Sequence, residues 1–301
     1  MAKIPSRTQA ETWLLAVTVI WGSTFFLTKI ILENASPFVY IALRFTIATI
    51  LFGTIFFQRL RSLSRDAIIK GSVLGVLLFL GFVLQSTGLK YTTASKSAFI
   101  TGLSVIFTPI LQLLLERRSP KLGNVLGVVL VAVGLYVMTS PEGSSFNMGD
   151  GLTLLCAALF AVYIIYMDMY GKDHDPMHLS FVQFVSTALL SIFFLPFLEQ
   201  PYLRFSMNFT WILIYLAILP TIVALYVQAK YQRYTTPTRT AVIFSMEPPF
   251  AAAFAVLFGQ EQLSSAAMIG GAIILTGLIL SELSDVIFRS QTSMKNNRTP
   301  L

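Results

Sequence analysis

Ten apolar stretches of 16 to 23 residues dominate this sequence, most of them long enough to cross a lipid bilayer. A spanning helix needs about 20 apolar residues for a hydrocarbon core about 30 Å thick. The stretches are Trp13–Ile31, Pro37–Phe57, Ile69–Leu89, Ser95–Leu115, Gly123–Met138, Asp150–Tyr170, His178–Leu198, Phe209–Tyr231, Pro237–Phe258 and Ser264–Asp285. Their continuity predicts helices, since a transmembrane barrel would show alternating segments of about 10 residues. Helices of this number use about 200 residues, which leaves short loops and no sizeable soluble domain. Composition agrees: 12% of the residues are charged, half of the roughly 25% usual in soluble domains. A mean hydropathy of +0.74 excludes a disordered chain, which needs low hydrophobicity and high charge.

The basic residues test this topology. With the amino terminus inside, sixteen of the 21 fall in inside loops, tails and span edges, among them Lys3, Arg7, Arg59, Arg117, Arg118, Lys121, Arg233, Arg239 and Arg289. Only Lys90, Lys96 and Arg204 fall outside, while Lys29 and Arg44 lie within spans. Basic residues accumulate on the cytoplasmic side, so both termini are expected there. The net charge of +7 is then a membrane-edge feature that meets anionic lipid, and no nucleic-acid partner is expected. The first apolar stretch outlasts a signal-peptide core and shows no small-residue cleavage site, so it is expected to be retained. Cys156 is the single cysteine, and His174 and His178 share one polar loop. Neither a metal site nor a cofactor is expected from them. No phosphate-cradling Walker loop is present, which argues against ATP drive.

The two halves repeat. Gln85, Tyr91, Thr92 and Thr93 match Gln228, Tyr234, Thr235 and Thr236 at one constant offset in numbering. The same offset pairs Lys96 with Arg239, Gly127 with Gly270 and Gly134 with Gly277. Earlier in each half a slightly shorter offset pairs Trp21 with Phe160 and Arg44 with Gln183. Five spans per repeat is an odd number, so the second copy is expected to lie inverted in the bilayer. Inverted repeats characterise secondary carriers, whose site lies near the midplane between the halves. The expected organisation is an amino-terminal segment (residues 1–12), a first repeat (13–139), a connecting loop (140–149), a second repeat (150–286) and a cytoplasmic tail (287–301).

These residues resemble the drug/metabolite transporter superfamily of the EamA type. The resemblance rests on Trp21-Gly22-Ser23-Thr24-Phe25, Arg44-Phe45, Tyr91-Thr92-Thr93-Ala94, Pro109 with Glu116, Glu247-Pro248-Pro249-Phe250, Glu261, and Gly270-Gly271 with Gly277. It covers roughly residues 11–285 and implies a ten-helix, all-α membrane fold of two inverted EamA repeats. It further implies a central cavity and alternating-access movement of a small metabolite. Many bacterial members export amino acids or related compounds, so a multi-pass protein of the bacterial plasma membrane is expected.

Glu247 is the sharpest local signal, an acid near the middle of the ninth span. A carboxylate at that depth is expensive and faces a cavity or a partner. Pro248 and Pro249 lack N–H groups and so free the carbonyls of Phe244 and Ser245. This acceptor-rich spot suits a coupling proton, a cation or a substrate amine; the alternative is that Glu247 ties down a bent helix. Gln85 and Gln228 either face a shared cavity or act as interhelical hydrogen-bonding glue. Arg44 either meets a substrate carboxylate, pairs with Glu247 or holds a neighbouring helix. Its presence across the family whatever the substrate favours the last reading. Trp21, Phe160, Tyr163 and Phe244 are candidates for an aromatic cavity wall, with core packing as the alternative. Pro109 and Pro220, like Pro248 and Pro249, are expected to interrupt or kink their helices. The small-residue pairs Gly127/Gly134 and Gly270/Gly277 are expected to pack the fifth and tenth spans together or to form a homodimer contact.

The expected function is secondary transport of small metabolites, amino acids or related solutes, in the export direction. A sugar-nucleotide or phosphorylated-metabolite carrier would need basic residues around its cavity. An intramembrane enzyme would need converging catalytic groups, and a receptor or scaffold would use the fold without transport.

Overall fold

Hydroxyl and carboxamide side chains begin many of the helices, as expected where the first N–H groups of a helix lack backbone partners. The computed structural model describes residues 5–117, 122–139, 146–258, 265–266, 268–277 and 279–280. Lys3, Arg118, Lys121, Glu261, residues 140–145 of the connecting loop and the tail 287–301 lie outside them. Ser6 accepts from the Gln9 N–H and starts α1 (Arg7–Gly22), so the first helix begins ahead of the apolar boundary at Trp13. α2 (Thr24–Leu32), α3 (Pro37–Ile55), α4 (Phe57–Leu60) and α5 (Arg65–Leu89) follow. Then come α6 (Ala94–Gly102), α7 (Ser104–Glu116), α8 (Leu122–Thr139), α9 (Met148–Gly171) and α10 (Pro176–Leu198). α11 (Met207–Ala217) leads through a π-helical turn (Ile218–Val223) into α12 (Ala224–Tyr231), and α13 (Pro237–Phe244) and α14 (Glu247–Leu257) come next. A last helix, α15, covers Met268–Gly277. The described residues form no sheet, only one isolated bridge between Ala35 and Leu203.

Seven helical stretches among the described residues are long and apolar enough to cross a membrane: Arg7–Leu32, Pro37–Ile55, Arg65–Leu89, Ala94–Glu116, Met148–Gly171, Pro176–Leu198 and Met207–Tyr234. The remaining apolar stretches contain α8, the α13–α14 pair and α15. The fold is that of an all-helical membrane protein. The tenth stretch, Ser264–Asp285, falls only partly within the described residues.

The interruptions are specific. α1 gives way to α2 at Ser23, whose hydroxyl donates to the Ile20 carbonyl at 2.7 Å. α6 gives way to α7 at Leu103, and α13 stops at Phe244 before α14 starts at Glu247. Leu103 and Met246 are related by the offset that pairs Gln85 with Gln228, so the fourth and ninth apolar stretches break at equivalent places. Pro248 and Pro249 account for the second break, through the missing N–H groups. Pro109 does not make the first: it lies inside α7, and the interruption comes earlier, beside Gly102. Pro220 produces a π-turn rather than a simple kink, and the Thr221 hydroxyl fills the gap by donating to the Leu216 carbonyl at 2.8 Å. The two equivalent breaks touch, since a Cβ on Gly102 would lie 3.1 Å from Pro248 Cγ.

Small residues set the close approaches. A Cβ on Gly134 would lie 2.8 Å from the Gly270 carbonyl oxygen, and one on Gly277 3.0 Å from that of Gly127. These four glycines therefore pack α8 on α15 within one chain. Gly71 and Gly75 face α10 in the same way, against Val182 and Ser186. Gly75→Val places its Cβ about 2.5 Å from Ser186 Cβ and is expected to lower stability by about 1–3 kcal/mol. Gly271→Ala, where nothing lies within 4 Å, is expected to leave it unchanged. Melting temperatures of the two variants in detergent check the contrast; equal melting would contradict the packing.

Candidate functional site

The interruptions surround one cavity of about 70 Å³. Trp21 and Thr24 flank the α1–α2 break, Gly102 and Ser104 flank the α6–α7 break, and Phe244 and Glu247 flank the α13–α14 break; all six line the cavity. Arg44 of α3, Leu78, Phe82 and Gln85 of α5, Thr101 of α6, Phe160, Tyr163 and Ile164 of α9, and Leu225 and Gln228 of α12 complete the wall. Every residue singled out in the sequence for binding or coupling thus reaches one cavity: Glu247, Gln228, Gln85, Trp21, Tyr163, Phe244 and Arg44. Pro109, Pro220, Pro248 and Pro249 are not among the lining residues.

Glu247 is the first residue of α14, where the helix dipole favours a negative charge. No hydrogen bond or ion pair from another side chain reaches its carboxylate among the described residues. Arg44 does not pair with it. This arginine is 2% exposed; its Nε donates to Thr221 Oγ1 at 2.5 Å and a terminal nitrogen to the Tyr40 hydroxyl at 2.8 Å. The guanidinium also lies 4.7 Å from the centre of the Phe82 ring, a cation–π contact. Arg44 therefore holds α3 to the π-turn, which is the structural reading of this residue.

Gln228 has a defined orientation. Gln232 Nε2 donates to the Ile164 carbonyl at 2.6 Å, and Gln228 Nε2 donates to Gln232 Oε1 at 2.8 Å. A carbonyl only accepts, so the relay sets both amides. Gln228 Oε1 is then left buried, with no protein partner among the described residues. Gln85 is looser, its Nε2 at 3.4 Å from Thr101 Oγ1. Trp21 donates its indole N–H to the Pro220 carbonyl at 3.0 Å and meets Phe244 edge-on with centroids 5.0 Å apart. The Tyr163 hydroxyl donates to Gln183 Oε1 at 2.9 Å. The aromatic rings thus present faces and edges to the cavity while their polar atoms are satisfied in the wall. Among the described lining residues Glu247 is the only acid and Arg44 the only base.

The sequence pattern of the EamA-like transporter family matches the chain twice, over residues 8–140 and 147–283. The chain belongs to the EamA-like transporter family. It is similar to an uncharacterized transporter of Archaeoglobus fulgidus, 36% identical over 279 residues that cover 92% of this chain and 87% of the relative. It is also similar to the uncharacterized transporter YoaV of Bacillus subtilis, 20% identical over 276 residues, with 89% and 94% covered. A crystal structure with 19% sequence identity superposes with a TM-score of 0.78 over 92% of this chain and 98% of that one, which shows a shared fold. The chain is accordingly a membrane transporter, and the intramembrane-enzyme reading is set aside.

Within this EamA-type scaffold the sequence reading missed several wall residues. Ser104 is the repeat counterpart of Glu247, at the same offset as Gln85 and Gln228, so the repeat contained its signal. Thr221, Tyr40 and Gln232 carried none, because their roles depend on which buried group they reach. Thr221→Val removes the acceptor of Arg44 Nε and the hydroxyl that serves the Leu216 carbonyl. A buried donor left unpaired costs about 1–3 kcal/mol. The variant is expected to melt measurably lower in detergent; unchanged melting would show that Arg44 is held by other means.

Proposed function

We propose that this transporter is a secondary carrier that moves small amine-bearing metabolites, amino acids among them, outward across a bacterial plasma membrane by alternating access. The reading includes ten transmembrane helices in two inverted repeats, residues 13–139 and 150–286, with both termini cytoplasmic. The charge bias of the loops, the two family matches and the equivalent breaks at Leu103 and Met246 support it.

One observation carries the substrate class. The Glu247 carboxylate and Gln228 Oε1 are cavity acceptors with no side-chain donor among the described residues. A bound ammonium supplies those donors and the opposite charge. Trp21, Phe82, Phe160, Tyr163 and Phe244 surround it with aromatic area that favours cations. Lone charges at this depth mark substrate or ion pathways, so Glu247 binds the substrate amine or the coupling proton in its place. Competition of amine and proton for one carboxylate is the simplest form of coupling. A phosphorylated substrate fits poorly, because Arg44 is the only basic residue on the described wall and the basic residues near the span ends are engaged elsewhere. Lys29 Nζ donates to the Thr92 carbonyl, Lys96 pairs with Asp150 and Arg239 with Glu11.

The test is uptake into proteoliposomes of amines, amino acids and sugar phosphates, with and without a pH gradient. Amine or amino-acid movement is expected, dependent on the gradient, and Glu247→Gln is expected to lower it about tenfold or more. Sugar-phosphate transport, or unimpaired pH-driven transport by Glu247→Gln, would refute the reading.

A further inference from the structure

Two buried ion pairs occupy equivalent places in the two repeats. In the first, Glu11 of α1 accepts from Arg239 of α13 in a two-pronged contact, Nε to Oε1 at 2.8 Å and a terminal nitrogen to Oε2 at 2.9 Å. Thr235 Oγ1 donates to the same carboxylate at 2.8 Å, and Arg7 Nε at 2.9 Å. In the second, Lys96 Nζ of α6 lies 2.6 Å from Asp150 Oδ2 of α9, and Thr92 Oγ1 donates to Asp150 Oδ1 at 2.7 Å. Glu11 and Asp150 are related by the shorter of the two repeat offsets; Lys96 and Arg239, like Thr92 and Thr235, are related by the longer. The two bases are presented alike, each in the first turn of a half-helix capped by the threonine three positions before it, Thr93 for α6 and Thr236 for α13.

The clusters lie at opposite ends of the helices. The stretch Arg7–Leu32 carries Glu11 near its start, in the first cluster, and Lys29 near its end, where Lys29 Nζ donates to the carbonyl of Thr92 in the second cluster. At 1.5 Å per residue the two positions are about 27 Å apart. Trp21 and Thr24, both on the cavity wall, lie between them on the same stretch.

We propose that these pairs are the two latches of the transport path, one closing each end of the cavity. Each joins the first helix of one repeat to the fourth apolar stretch of the other. The acid comes from the first repeat at one end and from the second at the other. Any movement of one repeat against the other therefore strains both pairs. An ion pair suits such a latch, because it is strong when desolvated and its charges hydrate when an end opens. Both pairs are formed in this structure. The latches are unequal. Arg239 makes the forked contact and its side chain is 3% exposed, whereas Lys96 presents a single ammonium and its side chain is 21% exposed. The Asp150–Lys96 end opens more readily.

The proposal rests on the alternating-access reading but not on the substrate class. The test places a cysteine in the cavity, Thr24→Cys on a Cys156→Ala background, and measures its labelling by a membrane-impermeant maleimide from each face. Asp150→Asn is expected to raise labelling from the face that bears Lys96. Glu11→Gln is expected to raise it from the opposite face. Each change is about tenfold, as for loss of a desolvated charge pair. Thr92→Val and Thr235→Val delete one hydroxyl from each cluster and should move labelling in the same two directions by less. They decide the matter if a charge variant fails to reach the membrane. Shifts on the same face, or none, would overturn the proposal, and a non-saturable, channel-like leak of small solutes through the parent would overturn alternating access with it. Opposite shifts in a protein that carries no amine would leave the latches standing and refute only the substrate class.

Discussion

Inside a bilayer no water is available to backbone polar groups, so a helix can be broken only where something else satisfies the freed N–H and C=O groups or where a cavity admits water. That constraint organises this structure. The break at Ser23 is closed by its own hydroxyl on the Ile20 carbonyl. The break after Phe244 is closed in part by the Ser245 hydroxyl on the Val242 carbonyl. The π-turn at Pro220 is served by Thr221 from within and by the Trp21 indole from α1. The breaks at Ser23 and after Phe244 border the same cavity. The helix ends that the breaks create bring side chains such as Ser104 and Glu247 to its wall.

A second division follows from the first. Some polar groups of the wall are engaged by the protein, and two acceptors at the cavity, the Glu247 carboxylate and Gln228 Oε1, have no side-chain donor among the described residues. Arg44, the residue that looks most like an anion receptor in the sequence, is engaged by Tyr40, Thr221 and the Phe82 ring. Gln228 is half engaged: its amide nitrogen joins a relay that ends on the Ile164 carbonyl, and its oxygen remains. Glu247 is left entire. Glu247 and Arg44 contribute opposite formal charges to the cavity, but only the arginine is paired within the wall.

Much of this was legible in the amino-acid sequence. Apolar length, charge placement and the repeat offset are properties of the chain itself and need no knowledge of contacts. They led to the helices, to the equivalence of the two halves and to Glu247, because a carboxylate and two prolines deep in an apolar run are costly unless they serve a cavity. Local rules left alternatives that contacts decided. Pro109 was expected to interrupt or kink its helix; the helix runs through it, and the interruption falls at Leu103, where Gly102 meets Pro248. The Arg44–Glu247 pair suggested by opposite charges does not form.

Membrane residence, helicity, the doubling of the chain and the few charges that lie deep within it can all be read from the order of residues. They follow from the cost of polar groups in hydrocarbon, which accrues position by position along the chain. Which of those deep residues serve the scaffold and which face the cavity unsatisfied is fixed by three-dimensional contacts alone. The outcome depends on partners far away in sequence, such as Thr221 for Arg44 and Ile164 for Gln232. A hydrogen bond has a geometry as well as an energy, and no one-dimensional pattern records where its second atom will be.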